Sequence, residues 1–310
     1  MQSSAATLDD YLTYIRTLPL NDDPALFGLN SNANISYAWS ETMTTLTNLS
    51  ELQPKELSLG DGESPEQRTA GAAADILAVL PAPLDLAAIT AKDLQKALKG
   101  LVVMSEALEG MAGSLARNLV PALWSSKAYP SLKPLAAWVK DLVLRVEFMQ
   151  NWADHGIPRV FWISGFYFPQ AFLTGALQNY ARKHVIAIDT IAYAFEYLTQ
   201  PPAKKPEDGC CVSGLFLEGA RWNSSEMTLE ECRPKELHTE MAIIYMRPEQ
   251  NHRLQQGLYE CPAYKTLLRA GTLSTTGHST NYVMTIELPT HKPQSHWIKR
   301  GVALFCALDY

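Results

Sequence analysis

The chain has 310 residues, 47% of them hydrophobic, and a formal net charge of −6. That length and apolar share suffice for a sizeable core and for one to three domains. The charge is uneven: residues 1–100 hold 6 Lys/Arg against 13 Asp/Glu, and residues 101–310 hold 20 against 19, which argues against nucleic acid, whose phosphates demand a basic face.

No apolar run approaches the roughly 20 residues of a membrane-spanning helix. The first residues, MQSSAATLDD, show neither a basic n-region nor an apolar h-region, so no secretory leader is expected. Asn48-Leu49-Ser50 and Asn223-Ser224-Ser225 match the glycosylation sequon and are read as chance matches. Cys210, Cys211, Cys232, Cys261 and Cys306 are odd in number and scattered, which fits reduced thiols in a cytosolic setting.

The first half reads as helices. Leu8, Tyr11, Leu12, Ile15 and Leu18 form a helical stripe behind the cap Thr7, stopping at Pro19. A second helix is expected over 36–52, with Trp39, Met43, Leu46 and Leu49 inward. Residues 58–66 read as an exposed acidic loop. Ser64-Pro65 starts a third helix, which Pro81-Ala82-Pro83 ends. Thr90 caps a long helix from Ala91 towards Leu119, which Gly100, Gly110 and Gly113 can break. Ser131 caps another, with Leu135, Trp138, Leu142, Val146, Met149 and Trp152 on one side and Gly156 as its terminator.

Residues 161–189 hold the densest aromatic run: Phe161, Trp162, Phe166, Tyr167, Phe168, Phe172 and Tyr180. A helix starts at Pro169, where proline loses no useful N–H. Its apolar stripe of Phe172, Ala176 and Tyr180 predicts burial, and Arg182 and Lys183 suit its last turn. This stretch is a buried hinge between two subdomains, with Trp162, Phe166, Phe168, Phe172 and Tyr180 as its structural residues. Ser164-Gly165 lacks the first glycine of a nucleophile elbow.

Beyond it the period changes to that of strands. Candidates are 184–197, 211–217, 242–246, 259–268, 282–288 and 297–308. Six strands without intervening helices predict an antiparallel sheet curled into an incomplete barrel. The fold class is therefore α+β: a helical portion, then an incomplete six-stranded antiparallel β-barrel. The expected divisions are 1–99, 100–183 and 184–310. Pro201-Pro202 with Lys204 and Lys205 forms a solvated loop, and Asp208-Gly209 a turn.

The chemistry-bearing motifs are few. Neither G-x-x-x-x-G-K-[ST] nor a strand-borne G-x-G-x-x-G occurs. Adjacent Cys210-Cys211 have the wrong spacing for a zinc arm, and Cys232 and His238 stand apart. In the run 269–281, His278 could activate Ser279 or Ser274, but no orienting acid lies nearby in sequence. The favoured reading is a hairpin loop, with Gly271 and Gly277 at positive φ and the loop's hydroxyls, His278 and Asn281 structural. Glu196, Glu218, Glu260 and Glu287 read as solvent-face charges. Arg221 and Trp222 are expected to close a barrel end, with a salt bridge to Glu218.

Several longer runs are more specific than any of these: GLVVMS at 100–105, AYPSLKPL at 128–135, the aromatic run from 161 to 182, GLFLEGARW at 214–222, YECPAYKT at 259–266, RAGTLSTTGHSTNYV at 269–283 and WIKRGVAL at 297–304. With them residues 101–310 resemble the C-terminal region of dynein heavy chains, especially axonemal ones. Residues 14–35 resemble the stretch before it, although Ala25 and Asn30 stand where the family usually has Glu and His. The resemblance implies a non-catalytic domain that follows the sixth AAA+ module and packs on the motor ring. It implies that the residues acting on ATP and Mg lie upstream, so no catalytic, cofactor-binding or metal residue transfers to this chain. The implied partners are the AAA+ ring of the same heavy chain and an axonemal protein or neighbouring dynein; nucleic acid and membrane are not implied. The implied location is the cytoskeleton of a cilium or flagellum.

Overall fold

The computed structural model describes residues 39–47, 81–253, 256–272 and 279–310. The predicted helices before residue 39 and over 64–80, the loop 58–66, and Gly277 and His278 lie outside them. Among the described residues no helix is long and apolar enough to cross a membrane.

Among the described residues two compact units form, one holding 39–47 and 88–121, the other holding 81–87 and the residues from 122 to 310. In the first, helix α1 (39–47) buries Leu46. Helix α2 (Pro81–Leu98) buries Leu94, and α3 (Glu106–Ala116) buries Met111 and Leu115. The Thr42 hydroxyl donates to the Ala112 carbonyl at 3.3 Å, tying α1 to α3. Two expectations change here. Pro81-Ala82-Pro83 stands within the bounds of α2, where a helix end is expected, and Thr90 lies inside α2 instead of capping a helix. Only Gly100 breaks the long helix: at φ +73° its N–H reaches the Ala97 carbonyl at 2.9 Å. Gly110 and Gly113 stay within α3, whose cap is Ser105, accepting from the Leu108 N–H.

The second unit begins with the short α4 (Ala122–Ser125) and the long α5 (Leu135–His155). The α5 stripe of Leu135, Trp138, Leu142, Val146 and Met149 is buried as its spacing predicts. Its N-cap is Pro134; Ser131 instead folds its hydroxyl onto the Lys133 N–H. Gly156 at φ +79° ends the helix, its N–H on the Trp152 carbonyl. Next come β1 (Phe161–Trp162), a 3-10 turn (Ile163–Gly165) and α6 (Pro169–His184).

The remaining strands are β2 (Ile191–Leu198), β3 (Cys210–Ser213), β4 (Phe216–Glu218), β5 (Arg221–Asn223), β6 (Thr228–Glu230), β7 (His238–Glu240), β8 (Ile243–Gln250), β9 (Leu258–Tyr264), β10 (Tyr282–Pro289) and β11 (Ala303–Phe305). The class is mixed α+β, but the strands do not close one six-stranded barrel. They form a four-stranded sheet, β1-β3-β8-β2, a five-stranded sheet, β10-β9-β11-β4-β7, and the hairpin β5-β6. Two pairings are parallel, β1 with β3 and β11 with β9.

Local chemistry explains the difference. The expected strand 211–217 is split at Gly214, φ +87°, so its halves enter different sheets. The expected strand 297–308 opens as helix α7 (Gln294–Arg300), held between Pro293 and the left-handed Gly301. Trp297 is fully buried on it, its indole N–H donating to the Thr290 hydroxyl at 2.7 Å. His184 to Thr190 is helix end and 3-10 turn, so the strand there starts only at Ile191.

One hydrophobic cluster runs from Met149, Phe161, Ile163, Phe166 and Leu173 through Val212, Ile244 and Leu288 to Leu304 and Cys306. It therefore crosses from the helical stretch into both larger sheets. At about 25 cal/mol per Å² of apolar surface, burying such side chains is the main stabilising term of this unit.

Candidate functional site

Around Arg145 the second unit buries an ion pair among aromatic rings. The i,i+4 spacing on α5 places Asp141 one turn before Arg145. Both are buried, and the Arg145 Nε donates to Asp141 Oδ2 at 2.7 Å. The guanidinium carbon sits 3.6 Å from the centroid of the Tyr129 ring and 5.5 Å from that of Trp162. Arg145 Nη1 donates to the Phe166 carbonyl at 3.3 Å. Tyr129 in turn lies parallel to Trp138, which lies parallel to Trp124, with centroids 6.2 and 6.1 Å apart. A buried charge needs a partner and satisfied donors. Here the carboxylate, the carbonyl and two ring faces supply them.

Burial pushes the Tyr129 phenol well above its ordinary pKa, against the pull of Arg145. The phenol stays neutral, so Asp141 alone balances the guanidinium. Tyr129 donates to the Trp138 carbonyl at 3.3 Å, and the Tyr167 hydroxyl donates to the Lys127 carbonyl.

The Trp162 indole is wedged between two glycines. A Cβ on Gly214 would lie 2.4 Å from its Cδ1, and one on Gly165 would lie 2.7 Å from its Cε3. The Ser164 hydroxyl donates to the Gly214 carbonyl, closing the wedge. Phe148 meets Trp162 edge-on at 6.1 Å. Phe166 stacks on Phe172 at 4.2 Å, and Phe161 lies 4.7 Å from Phe172. The Tyr193 hydroxyl of β2 donates to the Leu173 carbonyl at 2.7 Å, and Gln170 reaches the Tyr282 carbonyl of β10 at 2.7 Å. The aromatic stretch is thus bound to α5, β2, β3 and β10 together.

Of the residues predicted to form this hinge, Phe166 is buried, and Trp162, Phe172 and Tyr180 are half-buried. Phe168 departs from the expectation: it is 56% exposed at the N-cap of α6, φ −127° and ψ 78°, with the Lys265 ammonium 5.7 Å over its ring. Tyr180 packs on His184, ring centroids 4.3 Å apart, near the outer end of α6 rather than at the cluster.

In the 269–281 loop, buried Asn281 donates through Nδ2 to the Thr266 hydroxyl at 2.9 Å and to the Leu268 carbonyl. Gly271 does not take positive φ; what restricts it is crowding, since a Cβ there would lie 2.6 Å from the Ser279 hydroxyl. Arg269 reaches the Gly301 carbonyl at 2.7 Å and pairs with Glu218. Glu218 is therefore taken by Arg269, not by Arg221. Arg221 faces Glu230 across the β5-β6 hairpin at 3.7 Å, and Trp222 packs on Tyr197 at 4.6 Å.

Two groups escaped the sequence reading. The Asp141/Arg145 pair sits on an apolar stripe, and that conflict with the pattern was its available signal. His252 lies between two carboxylates, Nδ1 3.1 Å from Glu249 and Nε2 3.0 Å from Glu287. Its position beside the end of β8, far in sequence from β10, gave no signal. Glu287, expected on a solvent face, has a side chain only 15% exposed.

The sequence model of the family described as the C-terminal domain of the dynein heavy chain matches residues 88–306. Over 98% of its length this protein is 53% identical to the mouse (Mus musculus) protein named dynein axonemal heavy chain 1, of which it covers 8%. It is 44% identical over 96% of its length to human (Homo sapiens) dynein axonemal heavy chain 3, again covering 8% of that protein. To rat (Rattus norvegicus) dynein axonemal heavy chain 12 it is 42% identical over 98% of its length, covering 11%. It thus spans about a tenth of the length of these relatives.

Proposed function

Because this protein belongs to the family formed by the C-terminal domains of dynein heavy chains, we propose that it serves an axonemal microtubule motor as a non-catalytic domain, packing on the AAA+ ring and supporting or regulating ATP-driven movement. The observation that carries this reading is the Arg145 centre. Its guanidinium, its carboxylate partner and its aromatic rings are spent on one another and on backbone carbonyls. A buried charge so used fixes the relation of neighbouring elements. On this reading ATP and Mg act upstream, and the domain resists the strain their turnover generates.

The test is ATP turnover by the heavy chain with and without residues 122–310. The reading predicts that basal turnover survives the deletion while its stimulation by microtubules changes. Complete loss of nucleotide binding on deletion, or ATP turnover by the 310 residues on their own, would overturn it.

A second reading has its own observation. The loop 199–209 is held in place from several sides yet turns its lysines outward. Such a loop suits a docking platform for an axonemal partner or a neighbouring dynein.

A further inference from the structure

The loop between β2 and β3 is unusually well anchored for an exposed segment. Arg159 Nη1 donates to the carbonyls of Pro202 and Ala203, both at 3.5 Å. At the far end Asp208 accepts from Lys183 Nζ at 2.7 Å and lies 3.3 Å from His184 Nε2. Its carbonyl takes the Tyr245 hydroxyl at 2.9 Å. Gly209, at φ +76°, lies so close to β8 that a Cβ would sit 2.2 Å from the Met246 carbonyl. Pro201, Pro202 and Pro206 restrict the backbone between these anchors. Between them Lys204 and Lys205 are exposed, and among the described residues neither forms an ion pair. Arg182 is exposed in the same helical turn that clamps Asp208.

A second, independent feature lies at the loop's Asp208 anchor, one residue past His184. Val185 follows the clamping turn and ends α6 at φ 56°, ψ 46°, while 92% exposed. A β-branched residue is disfavoured in the left-handed region, where glycine or asparagine usually ends a helix. Its side chain makes no core contact that would explain its retention there. A strained, exposed apolar knob beside an anchored loop backbone that carries exposed cations is a recognition arrangement, because little backbone ordering remains to be done on binding.

We propose that the 199–209 loop and the C-terminal turn of α6 dock an acidic, amphipathic segment of a partner protein, its carboxylates on Lys204, Lys205 and Arg182 and an apolar side chain on Val185. This deepens, and rests on, the docking reading above. Glu207 and Asp208 interrupt the basic surface, which suits a polypeptide with staggered charges better than an evenly anionic lipid face or phosphate backbone. One apolar knob is also too little to anchor in a bilayer.

The test uses the whole 310-residue protein and a fluorescein-labelled peptide of alternating glutamate and leucine, followed by anisotropy. Binding is expected to weaken as salt is raised. Lys204→Glu with Lys205→Glu should weaken it about tenfold, and Val185→Gly should weaken it severalfold without lowering the melting temperature. Lys299→Glu, a single charge reversal on α7, should leave it unaltered. Unchanged affinity in the double reversal, an equal loss in Lys299→Glu, or preference for phosphatidylserine vesicles or a single-stranded oligonucleotide would overturn the proposal. An unchanged Val185→Gly would overturn its apolar half. Retention of the same axonemal polypeptide by wild type and double reversal alike would sink the acidic chemistry while leaving docking intact. A blank with both peptide and axonemal extract would sink both.

Discussion

The Arg145 guanidinium sits over the ring of Tyr129, 3.6 Å from its centroid, and both are shut from water: Arg145 is 3% exposed and Tyr129 4%. Asp141 completes the site at 2.7 Å. Removing one member of such a pair leaves the other charged and unpaired in a poor dielectric. Arg145→Met should therefore destabilise the domain by about 3–5 kcal/mol. Adding Asp141→Leu should restore much of that loss, because the pair itself contributes little beyond its own desolvation. Urea denaturation of the two variants checks both signs. A double variant as unstable as the single one would mean that Arg145 acts through the carbonyl and ring contacts instead.

The aromatic run divides sharply by burial. Phe166→Ala empties a site 4% exposed, stacked on Phe172 at 4.2 Å, and should cost about 3–5 kcal/mol. Phe168→Ala, at a site 56% exposed, should stay within about 1 kcal/mol. Comparable losses in thermal denaturation would show that Phe168 is covered in the folded domain.

His252 carries a pH dependence whose sign is fixed by its surroundings. Burial lowers its pKa, but hydrogen bonds to Glu249 and Glu287 outweigh that and hold it above the ordinary histidine value. Both ring nitrogens face carboxylates, so the imidazolium is the form that satisfies them. A raised folded-state pKa gives a contribution fully present below about pH 6.5 and lost as pH rises through the folded value. The His252→Gln variant should thus lose more stability relative to wild type at about pH 6 than at about pH 8.5. Equal losses at the two pH values would contradict the charged staple.

Gly209 and Gly257 separate two costs. Both have positive φ, but a Cβ on Gly209 would lie 2.2 Å from the Met246 carbonyl, whereas one on Gly257 meets nothing nearer than 3.8 Å. Gly257→Ala should cost about 1 kcal/mol from backbone conformation alone. Gly209→Ala should cost roughly twice that or more, because β8 must move. Denaturant midpoints of the two proteins give the comparison.

What the sequence made legible follows its periodicities. The α5 stripe, the Pro169 start and the Gly156 stop are short-range signals, and each stands where it was read. The sheet was less legible because strand partners are set by long-range contacts. No local pattern places β11 between β9 and β4, or pairs β1 with β3 in parallel. Trp297 shows how a β-rich composition misleads: Pro293 and Gly301 fix a helix around it. At the Arg145 centre the apolar stripe is visible in the sequence, but only the fold shows that Asp141 and Arg145 are buried within it. Tyr129 lies outside α5 altogether, so only the fold brings it to Arg145.

The role proposed above is support of movement through packing. Optical trapping of the full-length motor with Arg145→Met, beside Arg145→Met with Asp141→Leu, tests it most directly. The account predicts lowered stall force or run length in the single variant, recovery in the double one, and basal ATP turnover unchanged in both. Unaltered force and run length in a single variant whose C-terminal domain is measurably destabilised would contradict it.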